Sequence, residues 1–460
     1  MDSRHPVRGS LESFSRGELD AAEERWIEDH LRSGCAVCQR EVDALLLRSL
    51  TCAPFGEPPR FAEDEGDPGQ HEGEASWDRL VANLEQRLAL VSAERRDAPD
   101  LLAELLGYEP REREILLGNS GRFQTLAVCE LLIEQSFQEG FRNPAGAIAL
   151  AELGLLVAGE LNGDHYGHSV VHDLQARAWA YLGNARRIAS DLAGAEQALA
   201  NAERFAEGGS ADPLEEARIL DLRASLLSDE GRFEQAVELL DVVIDIYDSL
   251  REPHGRGRAM ISKGLFLGYA GWPEEAIRIL RKGLGLIDWD REPRLVLMAR
   301  HNLAWFLNDC GRGEEAGEQL QRFRHTYRQF ADSWTELRLV WLDGRIAAGQ
   351  GRREEAEEIL REARRRFLAE ADGYDASLVT LDLANLYLEQ GRPAEVKQLA
   401  AEMLEVFVSL DVHRHARAAL AVFQQAAELD RATPRLIREI GSYLRRARRN
   451  PDLRFEPAAA

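Results

Sequence analysis

The chain has 460 residues, 45% of them apolar, and its 57 Lys and Arg against 80 Asp and Glu leave a formal charge of -23. That length and apolar content suit two or more ordinary domains or one long repeat array, and the negative field opposes direct nucleic-acid binding and anionic lipid. Five cysteines scattered from Cys35 to Cys310 make no disulfide framework, and neither a signal-peptide core nor a membrane-length apolar run is present, so a cytoplasmic location without a membrane partner is expected.

In chain order, residues 1–50 read as a small module. It contains His30-Leu-Arg-Ser-Gly-Cys35-Ala-Val-Cys38 and ends in the helical stretch from Cys38 to Leu50. Residues 51–75 combine four Pro, four Gly and seven acids with a single Arg; too few apolar groups offset the entropy of ordering, and this predicts an extended acidic linker. From Trp77 the pattern is helical throughout, predicting an all-α chain. Irregular helices fill 76–138, and degenerate repeat units fill 139–214, with Ala147 and Ala195 at their small-residue positions. Five regular units occupy 215–410, and a degenerate unit with a capping helix, PRLIREIGSYLRRARRN, closes 411–455.

The regular units align on DEGRFEQAVELL, YAGWPEEAIRIL, DCGRGEEAGEQL, GQGRREEAEEIL and EQGRPAEVKQLA, whose glycines, Gly231, Gly271, Gly311, Gly351 and Gly391, recur every 40 residues. Seven positions before each glycine stands Ala224, Gly264, Ala304, Gly344 or Ala384, and five after it Ala236, Ala276, Ala316, Ala356 or Val396. Small residues let two helices approach closely, and the glycine ends the first helix in a left-handed cap. Each unit is then a helical hairpin that buries its apolar face only by stacking on its neighbours, which makes a solenoid. These spacings resemble the tetratricopeptide repeat over about Glu215 to Leu410. The usual period is about 34 residues, and the surplus is expected in longer second helices and in connectors such as DWDREPRL.

His30, Cys35 and Cys38 admit three readings. A structural zinc site takes Cys-x2-Cys on one turn, His30 as a third ligand and His5 as the best fourth, and a module of this size needs such a staple. A redox pair wants a βαβ context, which is absent, and chance proximity is the third. The same residues resemble the zinc-binding anti-sigma domain: an early His-Pro, then LESFSRGELDAAEERWIEDHL, then Cys-x2-Cys and a helix. That resemblance implies zinc held by His30, Cys35 and Cys38, with His5 in the leading ligand position, and an extracytoplasmic-function sigma factor as partner. Here four residues rather than the usual three separate His30 from Cys35, and Gly34 can absorb the extra one. After Cys38, Val42, Leu45, Leu46 and Leu50 share one helix side, either packed inside the module or offered to a partner helix.

The stretch DHYGHSVVHD sets His165, His168 and His172 on one face of a continuous helix, a weaker metal candidate without cysteine partners. Cys129 and Cys310 read as small core residues and Cys52 as a linker thiol. No nucleotide-binding loop, nucleophile elbow, metalloprotease helix or dinucleotide fingerprint occurs, and no enzymatic activity is expected; a metal-dependent enzyme is the remotest alternative. In the repeat register the inner face carries Arg218, Arg258 and Arg338, then Asp221, His301 and Trp341, then Ser225, Trp305, Arg345 and Asn385. These groups would suit an acidic or carboxylate-terminated peptide, unless neighbouring acids already pair the arginines. The leading functional expectation is a regulator of transcription: the zinc module grips a sigma factor or similar helix, and the array binds a second protein or peptide. The alternative is a scaffold with a purely structural zinc site and no link to transcription.

Overall fold

The computed structural model describes residues 5–6, 10–11, 21–32, 35, 38 and 42 of the amino-terminal module, then 74–448 except 141, 331 and 410–413, then 450 and 453–455. Among these residues the protein is all-helical, with no strand. The expected linker lies almost wholly outside them, as do Leu45, Leu46, Leu50 and Cys52. Two compact units divide the chain, Met1–Ile219 and Leu220–Ala460.

The first unit holds α1 (Ala21–Arg32), α2 (Glu74–Leu106), α3 (Pro110–Asn119), α4 (Leu126–Glu139), α5 (Pro144–Glu160), α6 (Gly163–Tyr166), α7 (His168–Ile188) and α8 (Leu192–Ala206). α4 packs on α5, α5 on α7, and α7 on α8. Ala147 and Ala195 are fully buried at these crossings, where a larger side chain would hold the helices apart. Arg177 is buried between two carboxylates, its Nε donating to Glu215 Oε2 at 3.0 Å and its Nη1 lying 3.7 Å from Glu130, which Arg95 also binds at 3.0 Å.

The regular hairpins follow: α9 (Pro213–Asp229) with α10 (Phe233–Ser249), α11 (Pro253–Tyr269) with α12 (Pro273–Leu284), α13 (Pro293–Asp309) with α14 (Gly313–Tyr327), α15 (Ser333–Gly349) with α16 (Arg353–Ala369), and α17 (Gly373–Glu389) with α18 (Pro393–Ser409). Every first helix is 17 residues long and starts 40 residues after the last. The surplus over the common tetratricopeptide period is therefore shared by both helices rather than confined to the second helix and the connectors. The second helices vary more, α12 before DWDREPRL having 12 residues and α14 having 15.

All five repeat glycines have positive φ, between 68° and 93°. The caps are alike: Arg312 N–H donates to Leu307 O at 2.9 Å and Gly311 N–H to Asn308 O at 3.0 Å, and the same two bonds recur in the other four units. They satisfy the last carbonyls of each first helix. A Cβ added at Gly311 would meet nothing within 4 Å, so Gly311→Ala isolates the backbone cost. It should destabilise by about 1 kcal/mol, read from the urea midpoint. Gly344 has the other role, since a Cβ there would lie 2.8 Å from Leu360. The five residues after the glycines, Ala236 to Val396, are fully buried.

After the regular units come α19 (Arg414–Glu428) and α20 (Pro434–Ala447). α20 packs on α19 and, across the array, on α17.

Candidate metal centre and the inner face of the repeats

His5, His30, Cys35 and Cys38 converge in the first unit, with one donor atom from each lying within 4.8 Å of all the others. His5 Nδ1 is 3.3 Å from Cys38 Sγ and 3.4 Å from Cys35 Sγ. A tetrahedral zinc with ordinary Zn–N and Zn–S lengths separates such atoms by about 3.6 Å. The donor set, two thiols and two imidazoles, and its spacing thus fit one ion. Cys38 is buried, Cys35 and His30 partly so, and His5 is exposed. α1 delivers His30 from its last turns, with Ile27 and Leu31 fully buried on the same helix. The rings of His5 and His30 stand edge to face, 5.5 Å apart. Val42 is buried one turn beyond Cys38, consistent with packing inside the module.

The triple-histidine candidate is not brought together. Gly167, at φ 91°, breaks the expected continuous helix between α6 and α7. His168 lies 3.6 Å from Asp164, and His172 Nδ1 is 2.9 Å from Gly208 O. Among the described residues the amino-terminal set is the one group of three or more His, Cys and carboxylates placed to hold a metal. Cys129 is buried with Sγ 3.2 Å from Gly154 O, and burial, then the nearby Glu130, pushes its pKa up. Cys310 caps α13, and burial followed by Glu274 raises its thiol to about 11. Both thiols are protonated at neutral pH; Cys129 is a core residue, whereas Cys310 is only partly buried at its helix end.

In the second unit, Trp305, Trp341 and Arg345 form one cluster. The Arg345 guanidinium stacks over Trp305 at 3.9 Å, Trp305 meets Trp341 edge to face at 4.9 Å, and Trp341 Nε1–H donates to Asp382 at 2.7 Å. Arg345 also binds Asp309, and Asp382 at 2.8 Å. Desolvation works against its charge, but Asp382 and Asp309 together hold its pKa above the usual value. Arg338 pairs with Asp375 at 3.1 Å and lies over the Trp334 ring at 4.6 Å. Arg258 sits 3.6 Å from Glu292 and 4.0 Å from Asp221. Asn385 donates to Glu389, and Arg218, in the first unit, lies 3.6 Å from Glu215. The arginines expected to greet an acidic ligand are therefore each beside a carboxylate of the chain itself.

His301 accompanies this cluster, 6.0 Å from Trp305 ring to ring, with Nδ1 2.7 Å from the Tyr327 hydroxyl. Its Nε2 is buried with no hydrogen-bond partner among the described residues. Burial first, then Arg338 and Arg345, depress its pKa from 6.5 to about 3. Because the folded value lies below the unfolded one, protons favour the unfolded chain: the contribution is full above about 6.5 and is lost as pH falls towards 3. His301 ring resonances should accordingly not titrate between pH 8 and 5 in the folded protein.

Reading single positions missed the acids Asp309, Asp375 and Asp382. The signal was a fixed offset: Arg338 to Asp375 and Arg345 to Asp382 are 37 residues apart, and Arg294 to Asp332, Arg364 to Glu402 and Arg177 to Glu215 are 38. An offset slightly shorter than the repeat places partners side by side on adjacent hairpins.

The fold and its conserved geometry of caps and small residues define an α-solenoid of the tetratricopeptide kind. Two solved structures are similar to it. A Rap protein complexed with competence and sporulation factor aligns with a TM-score of 0.51 and 13% identity over 70% of this chain and 87% of that one. Aspartyl phosphate phosphatase F from Bacillus subtilis aligns with a TM-score of 0.50 and 12% identity over 88% and 96%. At these identities the likeness is one of fold. No protein-family model and no curated protein matches the chain. Among the described residues no helix is long and apolar enough to cross a membrane.

Proposed function

We propose that the protein is an interaction adaptor that binds a protein or peptide along the inner face of its repeats and carries a zinc-stapled module at its amino terminus. The observation that carries this reading is the stacked-hairpin scaffold, on which Arg258, Arg338 and Asn385 stay part-exposed beside the buried cluster of Trp305, Trp341 and His301. Such a scaffold offers an extended concave surface rather than a closed reaction pocket. One protein of similar fold is complexed with competence and sporulation factor, and a polypeptide ligand here would be in keeping with that. His5, His30, Cys35 and Cys38 would hold the zinc, which supplies no chemistry beyond cross-linking the short module. Capture of partners from native extract by the full chain and by an Asn385→Ala, Arg258→Ala variant tests the reading. A partner retained by the first and lost by the second supports it; identical retention by both places the binding surface elsewhere.

A second reading is that the module is an anti-sigma element. It is favoured by the meeting of His5 with His30, Cys35 and Cys38, the positions that match the zinc-binding anti-sigma domain. It predicts direct binding of an extracytoplasmic-function sigma factor by the zinc-loaded chain, lost on chelation. A sigma factor that binds equally well to the metal-free chain would remove this reading and leave the adaptor with a structural zinc.

A further inference from the structure

α20 is amphipathic and basic. Ile437, Ile440, Leu444 and Ala447 are buried along one stripe, at the spacing of a single helix face, while Arg435, Arg438, Arg445 and Arg446 stand against one acid, Glu439. It runs antiparallel to α17: Gly441 faces Leu378 and Leu381, and Arg448, just past the helix end, binds Asp372 at 3.0 Å and Asp375 at 3.1 Å. Asp375 is the acid that also pairs with Arg338 of the inner face. Arg445 is exposed and lies within electrostatic reach of Asp309, Arg345, Asp382 and Tyr269, and desolvation, outweighing the two aspartates, lowers its pKa. Arg446 reaches further, its Nη1 lying 3.5 Å from where a Cβ on Gly231 would stand.

α20 thus touches the fifth hairpin through α17 and the first through Gly231, and Arg445 is within electrostatic reach of Tyr269 and Asp309 in the second and third, so α20 spans the side of the array that carries Arg345 and Asp382. The inner face there is acidic: Asp309, Asp372, Asp375 and Asp382 outnumber Arg338 and Arg345, and Arg445 and Arg448 supply the missing positive charge. We infer that this part of the inner face is a receptor for a basic amphipathic helix, that α20 is its resident occupant, and that a partner helix of the same pattern binds by taking its place. The inference rests on reading the inner face as the binding surface and names the chemistry of what binds there. Only residues 429–433 join α19 to α20, so the resident helix acts at an effective concentration of about millimolar or more, and a free helix competes poorly until the resident is loosened.

The test uses the full chain, its Arg448→Glu variant and a fluorescein-labelled synthetic peptide of residues 432–455. Arg448→Glu sets a carboxylate against Asp372 and Asp375. Amide exchange over Pro434–Ala447 should accelerate by about tenfold or more, with Ser333–Gly349 unchanged, and the peptide should bind the variant about tenfold or more tightly than the parent chain. Should Arg448→Glu aggregate, Arg448→Gln removes the charge at similar length and should act in the same direction. Equal peptide affinity for both chains, or no binding to either, overturns the proposal, as does exchange that rises equally through Ser333–Gly349, the mark of a cap needed for the whole array. A released α20 with no peptide binding sinks this inference alone, because capture of native partners tests the adaptor reading separately.

Discussion

Replacing Cys35 and Cys38 together with serine is expected to remove about one zinc ion per chain, measured by elemental analysis of the purified protein. Serine keeps the size of each side chain but offers no thiolate, and a two-imidazole remnant cannot close a tetrahedral site. The consequence for folding should be large and local. Structural zinc in modules of this size contributes roughly 10–16 kcal/mol of apparent binding energy at neutral pH, so the amino-terminal module should lose protection from proteolysis while the repeats melt unchanged. Zinc content unaltered by the double substitution would refute the ligand assignment. His5→Ala separates the fourth ligand from the other three: an open coordination position should weaken retention of the ion against a chelator without abolishing it.

Trp341→Ala should be the most damaging single substitution in the second unit. The side chain is 1% exposed and joins Trp305 and Phe367, each edge to face. Truncating a buried tryptophan costs about 3–5 kcal/mol through lost transfer energy and the residual cavity. Asp382 would also lose the indole donor while remaining beside Arg345. Trp341→Phe separates the two effects. It keeps a ring in the pocket but removes the N–H and part of the bicyclic ring, for an expected loss of about 1–3 kcal/mol. Urea denaturation followed by far-UV circular dichroism measures both. Equal losses for the two variants would show that the hydrogen bond, not the packing, dominates.

How much of this was legible in the sequence depends on how local the cause was. Gly311 and its four equivalents stood out because a left-handed cap is a property of one residue, and Ala304 or Gly344 because helix contact is a matter of one side chain's bulk. The metal cluster was legible in Cys35 and Cys38 for the same reason; His5 entered on chemistry, as the donor needed to complete a tetrahedron. The charged cluster around Trp305 and Trp341 was not legible at single positions. Arg338 and Arg345 look like free cations until Asp375 and Asp382 are seen 37 residues on, and that pairing exists only once the hairpins are stacked. The histidine triplet misled because one backbone angle, φ at Gly167, decides whether i, i+3 and i+7 share a face at all. α20 was legible as a capping helix, but nothing short of the folded chain reveals that Arg448 reaches back to Asp372 and Asp375.

The constant offset of these ion pairs has a consequence for how such a chain can vary. Each pair joins one hairpin to the next at a separation tied to the period, but the partner positions themselves do not repeat, and three of the five pairs join the fourth hairpin to the fifth. Duplicating the block 333–372 would keep the helical register but set Arg338 and Arg345 against copies of Thr335 and Leu342 in place of Asp375 and Asp382. Adding a single amino acid inside a hairpin would instead misalign a guanidinium and a carboxylate in a poorly hydrated place. The helical period is therefore modular, while the ion pairs are particular to their place in the array.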